Sequence, residues 1–227
     1  MEKIRVGVVH TFLYSVEDIR AQFHKYLPEV EMINIIDDSL LQEALANKGV
    51  TPYIVSRMCD YYTNLKELGC VCCLNQCSSV GEASDACAKL IDIPVLKIDR
   101  PMARQAAELG SRIAVIATAI STVEPSSRLV ESEAQKLGKQ VTVERCYVDG
   151  AYDCLLKTGD RARHNEMVIN RVVKAAETND VIVLAQGSMY ALIPLIKEKG
   201  VTKPVLTSLE TGVQQVRDTL KELGLVS

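Results

Sequence analysis

The chain repeats itself, and the repeat limits what it can fold into. With an offset of 107, Arg5-Val6-Gly7-Val8-Val9-His10-Thr11 lies over Arg112-Ile113-Ala114-Val115-Ile116-Ala117-Thr118, and Ser15 lies over Thr122. With an offset of 110, Pro94-Val95-Leu96 lies over Pro204-Val205-Leu206. Between these blocks, the apolar run after Gly69 and the turn that follows it match residues 181–189. An offset of 109 sets Cys77 opposite Gln186 and Ser79 opposite Ser188; an offset of 110 sets Gln76 opposite Gln186 instead. The sequence leaves both alignments open. Three matched blocks in the same order point to a duplicated unit rather than a chance likeness of two strands.

Each copy alternates short apolar runs with helical patterns. Residues 3–10 read as a buried strand. Ser15 and Asp18 make a capping-box pattern for a helix to about Leu27. Residues 30–36 are the next strand, and Asp37-Asp38 cap a short helix that Gly49 breaks. Thr51-Pro52 opens a long helix with apolar residues at Ile54, Val55, Met58, Tyr61, Tyr62, Leu65 and Leu68, and Gly69 stops it. The central strand, a helix to about Leu90 and a short strand over 95–98 follow.

The second copy starts near Asp99-Arg100-Pro101, which opens a helix closed at Gly110. Strand 112–117 leads to a loop over 118–122. Pro125 then starts a helix ending at Gly138, and strand 140–147 follows. After Gly150 the pattern gives a short helix and a longer one over about 160–178. Strand 181–185, a helix to Lys199, a short strand at Val205-Leu206 and a last helix over about 211–223 complete the chain. Regular β–α alternation argues for parallel sheets with crossover helices. The expectation is an α/β fold of two similar parallel-sheet lobes related by pseudo-two-fold symmetry, with the active site in the cleft between them. Residues 1–97 and 208–227 form one lobe and 98–207 the other. The first strand of each lobe is expected inside its sheet, with the last helix packed on the first lobe.

The chemistry gathers in GCVCCLNQCSSVGEASDA, residues 69–86. An apolar strand run turns polar at Asn75, Gln76 and Cys77 and then becomes helical near Gly81. Such a strand–helix junction leaves backbone N–H groups free to bind an anion. The hydroxyls of Ser78 and Ser79 add donors there. A thiol at that place is expected to have a lowered pKa and to act as base or nucleophile. The other cysteines of the first half, Cys59, Cys70, Cys72, Cys73 and Cys87, read as inert small hydrophobes. No metal site is read from them, because alternate residues of a strand point to opposite faces.

Charge and composition narrow the partners. A net charge of −3 and a pI near 5.7 argue against nucleic acid or an anionic membrane. Only 4% of residues are aromatic and Trp is absent, which argues against base stacking. No apolar run reaches the roughly 18 residues of a membrane span. Eight cysteines without a secretory leader read as reduced thiols in a cytoplasm. The expected partners are a small carboxylate and, as a homo-oligomer, further copies of the chain.

CSSVGEASDA, KIDRPM, ATAISTVEPSSRLV and LAQGSM, with NIIDDSLL upstream, resemble the aspartate/glutamate/hydantoin racemase superfamily. The likeness runs over nearly the whole chain. It implies a cofactor-independent enzyme in which two cysteines, one per lobe, flank the α-carbon of a carboxylate substrate. One removes a proton and the other returns one from the opposite face. Cys77 matches the first cysteine. Gln186 stands where the second is expected, and an amide is neither acid nor base near neutral pH. The superfamily also holds single-cysteine decarboxylases, and a binder of small acids without activity is a third reading. By the same resemblance, His164 in GDRARHNEM is a candidate acid/base. His10 ends the first strand, where cleft residues belong. Hydroxyls in the loops 11–15 and 118–122, including Thr11, Ser15, Thr118 and Thr122, are implied to hold carboxylates, although Ser15 and Thr122 also read as plain N-caps. The N–H groups of Gly187 and Ser188, after strand 181–185, are expected to bind an anion or carboxylate, as are those of Ser78 and Ser79. His24 reads as an exposed helix residue, and Asp99 falls near the lobe crossover.

Overall fold

The computed structural model describes residues 3–13 and 16–226. Ser15, and with it the capping box, lies outside the described residues. The chain divides into two compact units. The first comprises residues up to Asp99 together with Leu209 onward, and the second runs from Arg100 to Ser208.

The first unit runs β1 (Ile4–His10), α1 (Val16–Tyr26), β2 (Val30–Ile36), α2 (Ser39–Asn47), α3 (Pro52–Glu67), β3 (Cys70–Asn75), a 3-10 turn (Ser78–Val80), α4 (Gly81–Cys87) and β4 (Val95–Lys97). The second runs α5 (Arg100–Leu109), β5 (Arg112–Ala117), α6 (Ile120–Lys136), β6 (Thr142–Tyr147), α7 (Ala151–Leu156), α8 (Arg161–Ala176), β7 (Val181–Leu184), a 3-10 turn (Gly187–Leu192), α9 (Ile193–Glu198) and β8 (Val205–Thr207). Helix α10 (Ser208–Glu222) then returns to the first unit. Each unit has its own four-stranded parallel sheet, ordered β2-β1-β3-β4 and β6-β5-β7-β8. This is the expected α/β architecture of two similar lobes, and β1 and β5 are interior strands.

The strand registers decide the alignment that the sequence leaves open. Gly7 pairs with Cys73 across β1 and β3, and Ala114 pairs with Ile182 across β5 and β7. Because Gly7 matches Ala114, Cys73 matches Ile182, which is an offset of 109. The turns agree. Gln76 N–H donates to Val9 O at 3.0 Å, and Ala185 N–H donates to Ile116 O at 2.9 Å. Val80 N–H reaches Cys77 O at 3.3 Å, and Met189 N–H reaches Gln186 O at 3.0 Å. Cys77 and Gln186 are therefore equivalent positions, both extended residues that enter a 3-10 turn.

Local chemistry explains the elements that position these turns. Thr51 Oγ1 accepts from Ile54 N–H at 3.2 Å, and Pro52 follows it as the first residue of α3. Ile54, Met58, Tyr62 and Leu65 bury one stripe of that helix. The Tyr62 hydroxyl is satisfied by Ser84 Oγ at 2.8 Å. Gly7 lets α3 lie on β1, since a Cβ there would stand 2.7 Å from Leu65 Cδ1. Gly212 lets α10 approach the end of β4, where a Cβ would meet Ile98 O at 2.7 Å. The Tyr26 hydroxyl also bonds the Glu210 carboxylate of α10.

Several boundaries differ from the sequence expectation. Helix α6 starts at Ile120, five residues before Pro125, so Thr118–Thr122 is not all loop. Ala119, without a capping side chain, is its N-cap, and Thr122 lies in the first turn, its N–H on Ala119 O at 3.0 Å. Pro125 sits at the sixth residue of the helix, where it forgoes one N–H bond and its ring crowds the carbonyl one turn back. Asp37 rather than Asp38 bonds the start of α2, accepting from Ser39 N–H at 3.1 Å. Helix α4 ends at Cys87, β6 starts at Thr142, and α10 starts at Ser208.

Candidate active site

In the first unit, β1 and β3 end side by side and deliver His10, Thr11, Asn75 and Cys77. The Asn75 side chain is buried and pins the turn. Its Nδ2 donates to Cys77 O at 2.9 Å, and its Oδ1 accepts from Cys77 N–H at 3.1 Å. This fixes the peptide units on both sides of Cys77. Sequence reading noted Asn75 only as the onset of polarity. A lone Asn closing an apolar strand was the available signal.

Burial pushes the Cys77 thiol up, against the opposing pull of the Thr11 hydroxyl, the Ser79 and Val80 N–H groups and the Ser79 hydroxyl. The expected lowering is therefore corrected. Donors surround the sulfur as the junction predicts, but desolvation of a thiolate outweighs them. Without a ligand, Cys77 is a protonated thiol at neutral pH. The Thr11 hydroxyl is buried and has no partner besides that sulfur among the described residues. Ser79 is buried and Ser78 is half-buried.

Cys77 is partly accessible, whereas Cys70, Cys72, Cys73 and Cys87 are buried. Burial pushes Cys70 to about 11 and Cys72 and Cys87 to about 12, and raises Cys73 further. Burial therefore keeps these four thiols protonated at physiological pH. Among the described residues no group of three His, Cys, Asp or Glu side chains could hold a metal ion.

His10 is fully buried, and its Nε2 meets Asn34 Oδ1 at 2.9 Å. Burial lowers its pKa, so the ring is neutral at pH 7. With Oδ1 as acceptor, Nε2 carries the proton, and Nδ1 is a buried acceptor without a partner among the described residues. Among the described residues no hydrogen bond joins His10 to Cys77. Lys97, at the end of β4, is also buried and pairs with Asp85 of α4 at 2.9 Å.

The second unit repeats this frame with other groups. Gln186 Oε1 accepts from Thr118 N–H at 2.6 Å, Thr118 Oγ1 at 3.0 Å and Ala119 N–H at 3.3 Å. Thr118 matches Thr11, so the same strand-end threonine serves a thiol in one unit and an amide in the other. Thr118 and Thr122 are buried, while Gly187 and Ser188 are half-buried. His164 lies in the first turn of α8, a helix that leads into β7. A crossover into a parallel strand starts at the end where the strands finish, so His164 shares that end of the unit with Thr118 and Gln186. It is buried rather than a surface residue. Nδ1 meets Asn165 Oδ1 at 3.0 Å, and Nε2 has no partner among the described residues. No hydrogen bond joins it to Gln186. His24 is exposed.

The fold has close counterparts. A glutamate racemase from Bacillus anthracis is similar with a TM-score of 0.76 at 18% identity, over 100% of this chain and 85% of that one. An allantoin racemase from Pseudomonas fluorescens gives 0.67 at 18% identity, over 98% and 93%. An aspartate racemase from Picrophilus torridus gives 0.68 at 12% identity, over 97% and 94%. At these identities the likeness shows the fold alone. A comparison with curated protein sequences gave no match. The family model of the Asp/Glu/hydantoin racemases matches residues 13–216. The chain, with two like units whose third strands run into the Cys77 and Gln186 turns, belongs to the Asp/Glu/hydantoin racemase family.

Proposed function

We propose that this chain is a cofactor-independent isomerase that moves a proton at a carbon next to a carboxylate, in a small amino acid, hydroxy acid or hydantoin-like molecule. Cys77 is the proton carrier. The observation that supports this most is its setting: a partly accessible thiol among Thr11, Ser79 and Val80 donors, on a turn pinned by Asn75. Cys77 first gives its own proton to solvent, and the thiolate then takes the α-proton. The electron pair left on carbon delocalises into the carboxylate as an enediolate, and a proton then returns to carbon. Return from Cys77 itself keeps the configuration. Inversion needs an acid on the other face, and Gln186 cannot supply a proton. His164 is the candidate for that acid.

One observation favours a second reading. Burial keeps Cys77 protonated, and a decarboxylase needs one proton donor. The C–C bond to a carboxylate breaks, CO2 leaves, and its electron pair stays on the α-carbon. The Cys77 proton closes that carbon, and water restores the thiol.

The experiment runs a panel of small acids in heavy water and follows α-deuteration, optical rotation and CO2 release. Deuteration with retained configuration is the expected result, and Cys77→Ser abolishes it. Gln186→Cys is expected to add loss of optical rotation. Racemisation by the unaltered chain that His164→Asn removes would assign the second face to His164. CO2 release without deuteration of any substrate would replace isomerisation by decarboxylation. No turnover of any panel member would leave a small-acid binder.

A further inference from the structure

We propose that Gln186 is a fixed amide donor that receives an oxygen of the substrate, which makes it an orienting residue and neither acid nor base. The inference deepens the proposed function and rests on it. Three donors meet the Gln186 oxygen: Thr118 N–H at 2.6 Å, Thr118 Oγ1 at 3.0 Å and Ala119 N–H at 3.3 Å. Two of them are backbone N–H groups, which only donate. An NH2 group cannot accept from them, so chemistry fixes which end of the amide faces inward.

The outward end is then Nε2 with its two hydrogens. It has no partner among the described residues, and it is not one of the buried unpartnered atoms, so it meets solvent. The two backbone donors belong to Thr118 and to Ala119, the N-cap just before α6, so the chain's own carbonyl is anchored on the backbone there and the outward donor is held in one orientation.

The strand register puts this donor at the position equivalent to the Cys77 thiol. An amide N–H bonds an acceptor oxygen and carries no charge of its own. It suits a carboxylate or the carbonyl of a neutral ring, and it repels a cation. Because its orientation is already fixed, it loses little freedom on binding, which is the condition for useful stabilisation of charge that develops on an oxygen.

The test is a titration of the 15N-labelled full chain with malonate, succinate and hydantoin, read on the side-chain amide signals. The Gln186 pair is identified by its loss in Gln186→Glu and Gln186→Met. At least one ligand is expected to shift that pair, and to bind both variants roughly tenfold more weakly or worse, as fits a lost bond to a substrate oxygen. A shift with malonate or succinate alone assigns a carboxylate; a shift with hydantoin assigns a carbonyl. Gln186→Glu keeps the oxygen that Thr118 and Ala119 bind, so its fold is retained, and Gln186→Met controls for the added charge. Unmoved Gln186 signals with all three ligands, or wild-type affinity in both variants, overturn the proposal. Cys77→Ser separates it from the reaction. A Gln186 shift with α-deuteration surviving in Cys77→Ser defeats the reaction alone. Cys77-dependent deuteration with unmoved Gln186 signals defeats the donor alone.

Discussion

The two units share a frame and differ at the strand ends. The same strand order, β–α connections and backbone hydrogen bonds recur in both. On that frame the first unit carries His10, Asn75 and Cys77, and the second carries Ala117, Leu184 and Gln186 at the matching registers. One unit buries polar groups to hold a thiol. The other fills the same places with apolar side chains and closes its turn with an amide. The difference teaches that the frame requires neither set. Buried polar groups cost free energy unless bonded, so Asn75 needs a reason, and the Cys77 turn that it bonds supplies one, whereas His10 bonds Asn34. Converting first-unit residues into their second-unit counterparts tests that argument.

Cys77→Gln has the largest expected effect. It makes both turns alike and removes the proton carrier. Positioned proton transfer supplies roughly 10²–10⁴ in rate, so turnover should fall by at least that much. Thermal unfolding should move little, because the second unit already accommodates glutamine at this register. Turnover within tenfold of the unaltered chain would break the comparison.

Asn75→Leu comes next. It copies Leu184 and strips both bonds from the Cys77 peptide units. Leaving a buried N–H unpaired costs about 1–3 kcal/mol, partly offset by the apolar side chain. Turnover should drop about tenfold or more because the thiol loses its placement. A full loss of stability with unchanged turnover would make Asn75 purely structural.

Much of this was legible in the sequence, for identifiable reasons. Gly69 and the Thr51-Pro52 pair mark helix ends by backbone chemistry, so α3 and β3 emerged with nearly correct limits. Helix α6 did not, because Ala119 has no capping side chain and Pro125 looks like a first helical residue. The junction at Cys77 was visible as an apolar run turning polar. The direction of its thiol shift was not, because desolvation depends on packing that no local pattern encodes. The match of Cys77 with Gln186 was legible as one of two alignments, and the strand register decides between them. The repeat slips by two residues between the first strand and this turn, from an offset of 107 to 109, and only the ladder of β-sheet bonds reveals where.

Gly7→Ala copies Ala114 in the sheet itself rather than at the site. The new Cβ would stand 2.7 Å from Leu65 Cδ1 and 3.0 Å from Leu65 Cβ, in a fully buried place. Overpacking of this kind costs about 1–3 kcal/mol, less the roughly 0.5–1 kcal/mol that alanine gains over glycine in a strand. The net expected loss is about 1 kcal/mol by denaturant unfolding. Combined with Leu65→Val, the loss assigned to the alanine should shrink. Additive losses would show that contact with Leu65 of α3 is not the source of the loss.

His10→Ala, the copy of Ala117, has the smallest effect and the clearest sign. Burial holds the folded pKa of His10 below the ordinary 6.5. The unfolded chain therefore binds a proton more readily than the folded one. Stability from this group is fully present above about pH 6.5, falls as pH drops toward the folded pKa, and is level below it. The slope in that window cannot exceed about 1.4 kcal/mol per pH unit for one proton. His10→Ala should flatten this part of the stability curve, even though the cavity and the abandoned Asn34 lower the whole curve. Denaturant unfolding at half-unit steps from pH 5 to 8 gives the reading. If both proteins lose stability equally on acidification, His10 is not the group that titrates. If the slope vanishes with the histidine, the first unit carries a pH sensitivity that its apolar counterpart at Ala117 lacks, and this follows from the same polar strand ends that hold Cys77.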